Sequence, residues 1–310
     1  MRILSPVHQE AVTREKRRQR LTVTLLAMPF VIMVFVFSYI PLFGWTYSFF
    51  NYKPGIPLGK SEFVGLEYFR LIVTDTDMAR VLLNTLAMSF LSVACSVLPI
   101  VFAIMITELR FPVVGKLVQS ATTLPNFISW VIVYSLAYTM FSSDGVVDRV
   151  LFSIGIISEP TKILGNSDAV WFFQTALGVW KTLGWNAIIY LAAIAGIDHE
   201  LYDAAEIDGA GRMGKIIYVT LPGLAPTFFV LLLLAISNIL SAGFEQYLVF
   251  YNSLVADKIE VIDYYVYRLG IVTNDYSYGT AIGMSKSLVS ILLLFFVNML
   301  SKRIRGNSII

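Results

Sequence analysis

Polar side chains inside an apolar segment are the first residues of this sequence whose types suggest chemistry. Between positions 169 and 197 the chain carries Lys181 and Asn186 among aliphatic residues, with the aromatic Trp185 and Tyr190 close by. Positions 182, 186 and 190 share one helical face, and 181 and 185 share the next. Aromatic faces stack on sugar rings, and amide or ammonium groups bind hydroxyls or a carboxylate. The spacing predicts a polar solute pathway; the alternative is an interfacial aromatic belt with a snorkelling lysine.

Further polar candidates lie in and after the two following apolar segments. Asn238, Glu245 and Gln246 stand at the outer end of one segment, and Lys286 near the outer end of the last. Ionisable residues within membrane segments are rare and are functional candidates by default, although Lys286 lies where snorkelling competes. Two lysines along one pathway would suit a carboxylated solute such as a uronate oligosaccharide.

Residue sets that would support catalysis or metal binding are missing from the sequence. It contains no phosphate-binding loop of the G-x-x-x-x-G-K-[ST] type, and nothing resembles a nucleophile, base and acid triad. His8 and His199 are solitary, and the single cysteine, Cys95, excludes an intrachain disulfide. We therefore expect this chain not to be an enzyme and to hold no metal or cofactor itself.

Composition defines the elements that must position these residues. The chain has 310 residues, of which 57% are hydrophobic and 14% are charged, so it is not an ordinary soluble domain. Apolar runs long enough to cross a bilayer predict an all-α, polytopic protein with six spans at about 21–50, 81–107, 117–141, 169–197, 223–241 and 279–300. Pro29 and Pro41 allow kinks in the first span, and Pro125-Asn126 should interrupt the third.

The distribution of charge predicts the orientation of these spans. A basic tail at 1–20 precedes the first span, with no evident signal-peptide cleavage site, and lysines and arginines exceed acids in the internal segments when both termini are cytoplasmic. The net charge of only +2 gives little support to a nucleic-acid-binding arm. We expect one six-helix domain at 21–305 and a cytoplasmic end at 306–310.

A charged, glycine-containing loop at 198–222 separates the fourth and fifth predicted spans. Asp198 can cap a first helix, and Gly209 can end it in a left-handed conformation. A second helix is predicted at about 211–220, stopping before Pro222. Such a patterned internal loop indicates a segment that another protein holds.

The loop resembles the signature of permease subunits of ATP-binding-cassette importers, E-A-A, three residues, G, nine residues, I, one residue, L-P. The sequence reads Asp203-Ala204-Ala205, then Gly209, then Val219-Thr220-Leu221-Pro222, with Asp in place of Glu and Val in place of Ile. The resemblance implies that the loop docks in a cleft of a cytoplasmic ATPase. The implied coupling residues are Tyr202, Asp203, Ala204, Ala205, Ile207, Asp208, Gly209, Ala210, Leu221 and Pro222.

Phrases elsewhere resemble the polysaccharide-permease branch of the carbohydrate importers. They include Phe63-Val64-Gly65-Leu66, Gly243-Phe244-Glu245-Gln246 and Tyr276-Ser277-Tyr278-Gly279. The resemblance implies a type I importer permease fold, maltose-permease-like, that takes up oligosaccharides. Implied partners are a second, homologous permease in a heterodimer, two ATPase subunits that bind ATP and Mg, an extracellular solute-binding protein and the lipid bilayer. The alternatives are an importer permease for another small solute, a secondary transporter, a membrane enzyme or a structural subunit.

Overall fold

The fold comes from a computed structural model that describes residues 6–159 and 161–305. Residues 1–5 of the predicted basic tail and the predicted end at 306–310 lie outside this range. Five helices in the described part are long and apolar enough to cross a membrane, and six if one bent pair counts as a single span. The all-α expectation and the six predicted spans are thus confirmed.

The first span changes helix type along its length. It comprises α1 (Pro6–Val34), a π-helical turn (Phe35–Tyr39) and a 3-10 helix (Ile40–Phe49). Pro29 stays inside α1, whereas Pro41 lies in the first turn of the 3-10 helix, because proline cannot donate to the α-helical ladder. The most apolar 18-residue window within residues 19–49 has no buried residue in this chain, so lipid or another protein must cover it.

The second span begins earlier than the predicted residue 81. The span comprises α3 (Thr76–Ala94), a 3-10 turn (Cys95–Val97) and α4 (Leu98–Thr107). It is preceded by strand β1 (Phe50–Asn51), a 3-10 turn (Leu58–Lys60), strand β2 (Glu62–Phe63) and α2 (Glu67–Thr74). Asp75 extends it by accepting the Asp77 amide at 2.9 Å and the hydroxyls of Tyr265 and Tyr278 at 3.0 and 2.7 Å. Burial opposes the charge, but the hydrogen bonds from Tyr278, Asp77 and Tyr265 lower the pKa of Asp75.

The third span is broken at Pro125, as the sequence predicts. It comprises α5 (Pro112–Thr123), a 3-10 turn (Leu124–Phe127) and α6 (Trp130–Phe141), followed by α7 (Val146–Ser153) and a 3-10 turn (Ile163–Gly165). The two halves of the span meet at 105°. Proline removes a donor from the ladder, and the helix ends here, so carbonyl groups at the break need partners from outside the ladder.

The fourth span, α8 (Val170–Ala195), is an unbroken helix at the centre of the bundle. It contacts α3, α4, α5 and α11. A Cβ on Gly184 would lie 2.4 Å from the carbonyl group of Thr122, so only glycine lets the α5 backbone approach this closely. The tight contact fixes α8 against the broken third span.

The fifth span is continuous with the second half of the patterned loop. After α9 (His199–Ile207), α10 (Arg212–Lys215) runs through a π-helical turn (Ile216–Thr220) into α11 (Leu221–Ser237). The predicted stop before Pro222 is wrong. Pro222 occupies the first turn of α11 after the π-helical turn has shifted the hydrogen-bond register, and a proline there breaks no ladder bond. The loop proper is therefore 196–211, and the span ends at Ser237 rather than 241.

Short helices cover the bundle at the opposite end from this loop. They are α12 (Glu245–Phe250), α13 (Ala256–Ile259), α14 (Ile262–Tyr267) and a π-helical turn (Arg268–Val272), before the sixth span, α15 (Tyr276–Arg305). Glu260, buried here, accepts from Arg268 at 2.6 Å and lies 3.5 Å from Arg80 of α3. We call the end of the bundle that α12, α13 and α14 cover the far end. The opposite end, with residues 108–111 and 196–211, is the loop end.

Candidate functional site

A central cavity of about 520 Å³ lies between α3, α8, α11 and the far-end helix α12. No charged side chain lines it among the described residues, and its polar lining groups are Ser89, Ser92, Ser96, Gln174, Thr175, Thr182, Asn186, Tyr190, Asn238, Ser241 and Gln246. The hydroxyl of Ser96 is buried and has no partner among the described residues. A membrane cavity with many neutral donors and acceptors suits a ligand rich in hydroxyl groups.

A stripe of residues along α8 supplies much of the wall of the central cavity. Gln174, Gly178, Thr182, Asn186 and Tyr190 all line it at intervals of four residues. Residues four apart are neighbours on a helix surface, so the five form a continuous stripe. Asn186 is exposed to the cavity and makes no hydrogen bond within the described chain. The sequence analysis predicts Asn186 and Tyr190 of this stripe and places position 182 on the same face. It does not predict Gln174 and Gly178, although the same four-residue spacing extends to them.

The predicted pathway residues divide into two groups. Asn186, Tyr190, Asn238 and Gln246 line the central cavity, whereas Lys181, Trp185 and Glu245 do not. Trp185 packs edge-to-face on Phe127 with ring centroids 5.7 Å apart. Glu245 is exposed at the far end. Lys286 lines a neighbouring cavity.

Lys181 is buried against the break in the third span. Its ammonium donates to the carbonyl oxygens of Pro125, Asn126 and Ile128 at 3.0, 2.8 and 2.6 Å, and lies 5.4 Å from the Trp130 ring centroid. A lysine has three donors, so these bonds use all of them. All three carbonyls lie at the interruption between α5 and α6, and that of Pro125 also accepts the Ile128 amide at 3.2 Å. The geometry gives Lys181 a structural role rather than the carboxylate-binding one expected from the sequence.

Two buried glutamines join the far end to the wall of the central cavity. The Gln246 amide nitrogen donates to the backbone and side-chain oxygens of Gln174, both at 2.8 Å. The side chains are 8% and 2% exposed, respectively, and both line the cavity. A movement of α12 therefore changes the cavity directly.

A second cavity of about 490 Å³ adjoins the central one. Asn238 and Ser241 line both cavities, and the second also contains Lys286 and Asp263. These two side chains form an ion pair. Lys286 thus lies beside the central cavity with a charged partner.

At the loop end, α9 has well-defined caps at both termini. Asp198 accepts the Glu200 amide at 3.0 Å, which confirms the predicted cap. Gly209 has φ of +80°, and the amides of Gly209 and Ala210 bond to Glu206 and Ala205 at 3.0 and 2.8 Å. This is a Schellman motif, and it confirms the left-handed end predicted for the helix.

Side-chain bonds hold α9 against the start of the fifth span. Tyr202 and Thr220 share a hydrogen bond of 3.0 Å, and Lys215 donates to Glu206 at 2.6 Å. The hydrogen bond and charge of Lys215 lower the pKa of Glu206. Arg212 pairs with Glu108 at the end of the second span. These contacts attach the loop to the second and fifth spans, so a movement of the loop would move both spans.

The outer face of α9 is apolar and uncovered. Leu201 is 54% and Ile207 86% exposed, and Ala204 between them is also exposed. Asp203 and Asp208 flank this face without a hydrogen bond or ion pair inside the described chain. Residues 201, 204 and 207 lie along one side of the helix. The capped helix thus presents an exposed apolar face outside the apolar spans, a feature typical of interaction sites.

These features define a class, multi-span membrane permeases with a polar path and a protein-binding loop. The chain belongs to the family described as "Binding-protein-dependent transport system inner membrane component", whose model matches residues 15–306. It is 37% identical to the protein LplB of Bacillus subtilis over 283 residues, which cover 90% of this chain and 88% of LplB.

Two further relatives have more informative descriptions. The polygalacturonan/rhamnogalacturonan transport system permease protein YteP of Bacillus subtilis is 33% identical, over 96% of both chains. A chain of the bacterial alginate ABC transporter, solved with an alginate pentasaccharide-bound periplasmic protein, is 32% identical with a TM-score of 0.85, covering 96% of this chain and 99% of that one. The predicted importer permease fold is thus confirmed.

Proposed function

We propose that this chain is one of two membrane permeases of an ATP-driven importer for acidic oligosaccharides. The observation that carries the importer mechanism is the exposed apolar face of α9, with its free carboxylates at Asp203 and Asp208. That face docks on an ATPase, which binds ATP and Mg in place of this chain. Bracing through Tyr202, Lys215 and Arg212 transmits the ATPase movement to the spans.

The substrate class is supported by the relatives and by the central cavity. Polygalacturonan and alginate, in the descriptions of two relatives, are acidic polysaccharides, and the cavity offers neutral donors and acceptors for sugar hydroxyls. An extracellular binding protein delivers the oligosaccharide to the far end. The loop end and both termini then face the cytoplasm, and the protein lies in the bacterial plasma membrane. Import of another small solute is the remaining alternative.

The proposal is tested by reconstituting the chain in lipid vesicles together with a partner permease, an ATPase and a binding protein from the same organism. Oligogalacturonates of three to six residues are expected to stimulate ATP hydrolysis and to accumulate in the vesicles. Neutral malto-oligosaccharides of equal length are the matched control. ATP hydrolysis that ignores every oligosaccharide would refute the substrate class, and uptake without ATP would refute the importer mechanism.

A further inference from the structure

The ion pair between Lys286 and Asp263 lies beside the central cavity. It lines the smaller cavity, whose walls at Asn238 and Ser241 are shared with the central one. Lys286 is ten residues into α15, or about 15 Å from its far-end terminus at 1.5 Å per residue. The pair is therefore within the apolar depth of the bundle and next to the path.

The surroundings of Lys286 are polar and open to water. Gly283, Ser287 and Ser290 line the same cavity, and Gly283 and Ser290 lie three residues before and four residues after Lys286 on the same helical face. The side chains of Lys286 and Asp263 are 18% and 23% exposed. An ion pair facing hydrocarbon would be strongly disfavoured, so this stripe of α15 faces an aqueous space. A ligand in that space can reach both charges.

The other intramembrane lysine is not available for a ligand. All three donors of Lys181 are bonded to backbone carbonyls. Among the described residues that line the central and the neighbouring cavity, Lys286 is the only cation. A carboxylate moving along this half of the path has one positive group to meet.

We propose that Lys286 recognises the carboxylates of the substrate and that Asp263 is its exchangeable counter-ion. This inference rests on the proposed import of acidic oligosaccharides. A uronate carboxylate takes the place of Asp263 on the ammonium, so one ion pair is replaced by another of similar strength. Asp263 then competes for Lys286 again and helps the sugar to leave. A neutral sugar has no carboxylate to replace Asp263, so the exchange favours acidic over neutral oligosaccharides. Because Asp263 competes for Lys286, the acidic sugar is not held so tightly that its release is slow.

The exchange is tested in the reconstituted complex with trigalacturonate and its fully methyl-esterified form as competing ligands. Lys286→Gln combined with Asp263→Asn leaves no unpaired charge, and we expect it to raise the KM for the acid about tenfold, the effect of losing one charged contact. The KM for the ester should not change. Lys286→Arg should keep the preference, and Asp263→Asn alone should lower the KM for the acid. Because the binding protein is the same throughout, a changed ratio reports on the permease.

Controls separate this inference from the proposed function. Lys60→Gln, which removes an exposed far-end lysine, should leave both KM values unchanged. An unchanged acid-to-ester ratio in the double variant overturns the role of Lys286, even if the wild type imports acids well. Should the double variant fail to assemble, an unchanged KM for the acid in Asp263→Asn overturns the exchange. A wild type that imports neither ligand overturns the proposed function instead.

Discussion

At the scale of single residues, Lys181 and Lys286 differ in what surrounds them. Lys181 meets only backbone carbonyls and an indole ring, whereas Lys286 meets a carboxylate beside a cavity. An ammonium bonded to three carbonyls completes a broken helix. The same group beside an exchangeable carboxylate can recognise an anion.

We predict that Lys181→Met destabilises the protein without changing its substrate preference. The variant removes three hydrogen bonds to carbonyl groups; the carbonyl of Pro125 keeps the Ile128 amide, and a buried group left unsatisfied costs about 1–3 kcal/mol. The Tm of the purified complex should fall by several degrees, while the ratio of acidic to neutral uptake stays constant. Lys116→Met, on the exposed side of α5, is the control. An unchanged Tm together with a selective loss of acidic uptake would show that Lys181 contacts the substrate, contrary to this prediction.

We also predict that Asn186→Ala weakens substrate binding. Its amide lies free in the central cavity, and loss of one hydrogen bond to a ligand costs about 1 kcal/mol, or roughly fivefold in affinity. The KM for oligosaccharide should rise and the amount of assembled complex should not. Trp185→Ala, on the neighbouring face of the same helix, should not raise the KM. Equal effects of both variants would mean that the cavity is not the path.

At the scale of elements, the position of the apolar face of α9 depends on the left-handed conformation of Gly209, which ends the helix. We predict that Gly209→Val abolishes substrate-stimulated ATP hydrolysis, because φ of +80° strains a β-branched residue by about 1–2 kcal/mol. No atom lies within 4 Å of a Cβ at this position, so the conformation and not space within this chain requires glycine. Gly209→Asn should therefore retain most of the stimulation, since Asn tolerates the left-handed region. Equal loss in both variants would indicate that the partner leaves no room for a side chain.

The apolar face of α9 gives a further prediction at this scale. Ile207→Asp should prevent the ATPase from co-purifying, because burial of an isoleucine contributes about 1.5–3 kcal/mol and the aspartate would add a buried charge. The fold should be unaffected, since Ile207 is 86% exposed. Leu66→Asp, an equally apolar substitution site that is exposed at the far end, should leave the complex intact. Normal co-purification of the Ile207 variant would remove the main support for the coupling role.

The sequence predicts those elements whose signals are local. Asp198, Gly209 and Pro125 act within a few residues of the chain, and the structure confirms the cap, the left-handed turn and the break that they predict. Lys181 could not be interpreted in this way, because its partners are 53–56 residues away and depend on how α8 packs on α5. The sequence predicts that the helix after Gly211 stops before Pro222, and this is wrong. A π-helical turn, which has no clear sequence signal, lets Pro222 remain in a continuous helix.

At the scale of the whole molecule, the described chain leaves a span and a loop uncovered. Its first span buries none of its apolar window, and its single α9 would fill one ATPase cleft. We predict that the purified transporter contains this chain and a second, related permease in a 1:1 ratio with two ATPase subunits. Native mass spectrometry of the complex measures the ratio. A transport-competent complex with this chain as the sole permease would contradict the prediction.

The four-residue spacing of the polar stripe on α8 has a consequence for motion. An α-helix turns by about 100° per residue, so each step from Gln174 towards Tyr190 rotates the stripe by about 40°. Over the four steps the wall of the cavity turns by about 160° while advancing by about 24 Å. The stripe is thus a right-handed screw thread. A sugar chain that keeps its hydroxyls on this wall must rotate about its own axis as it advances.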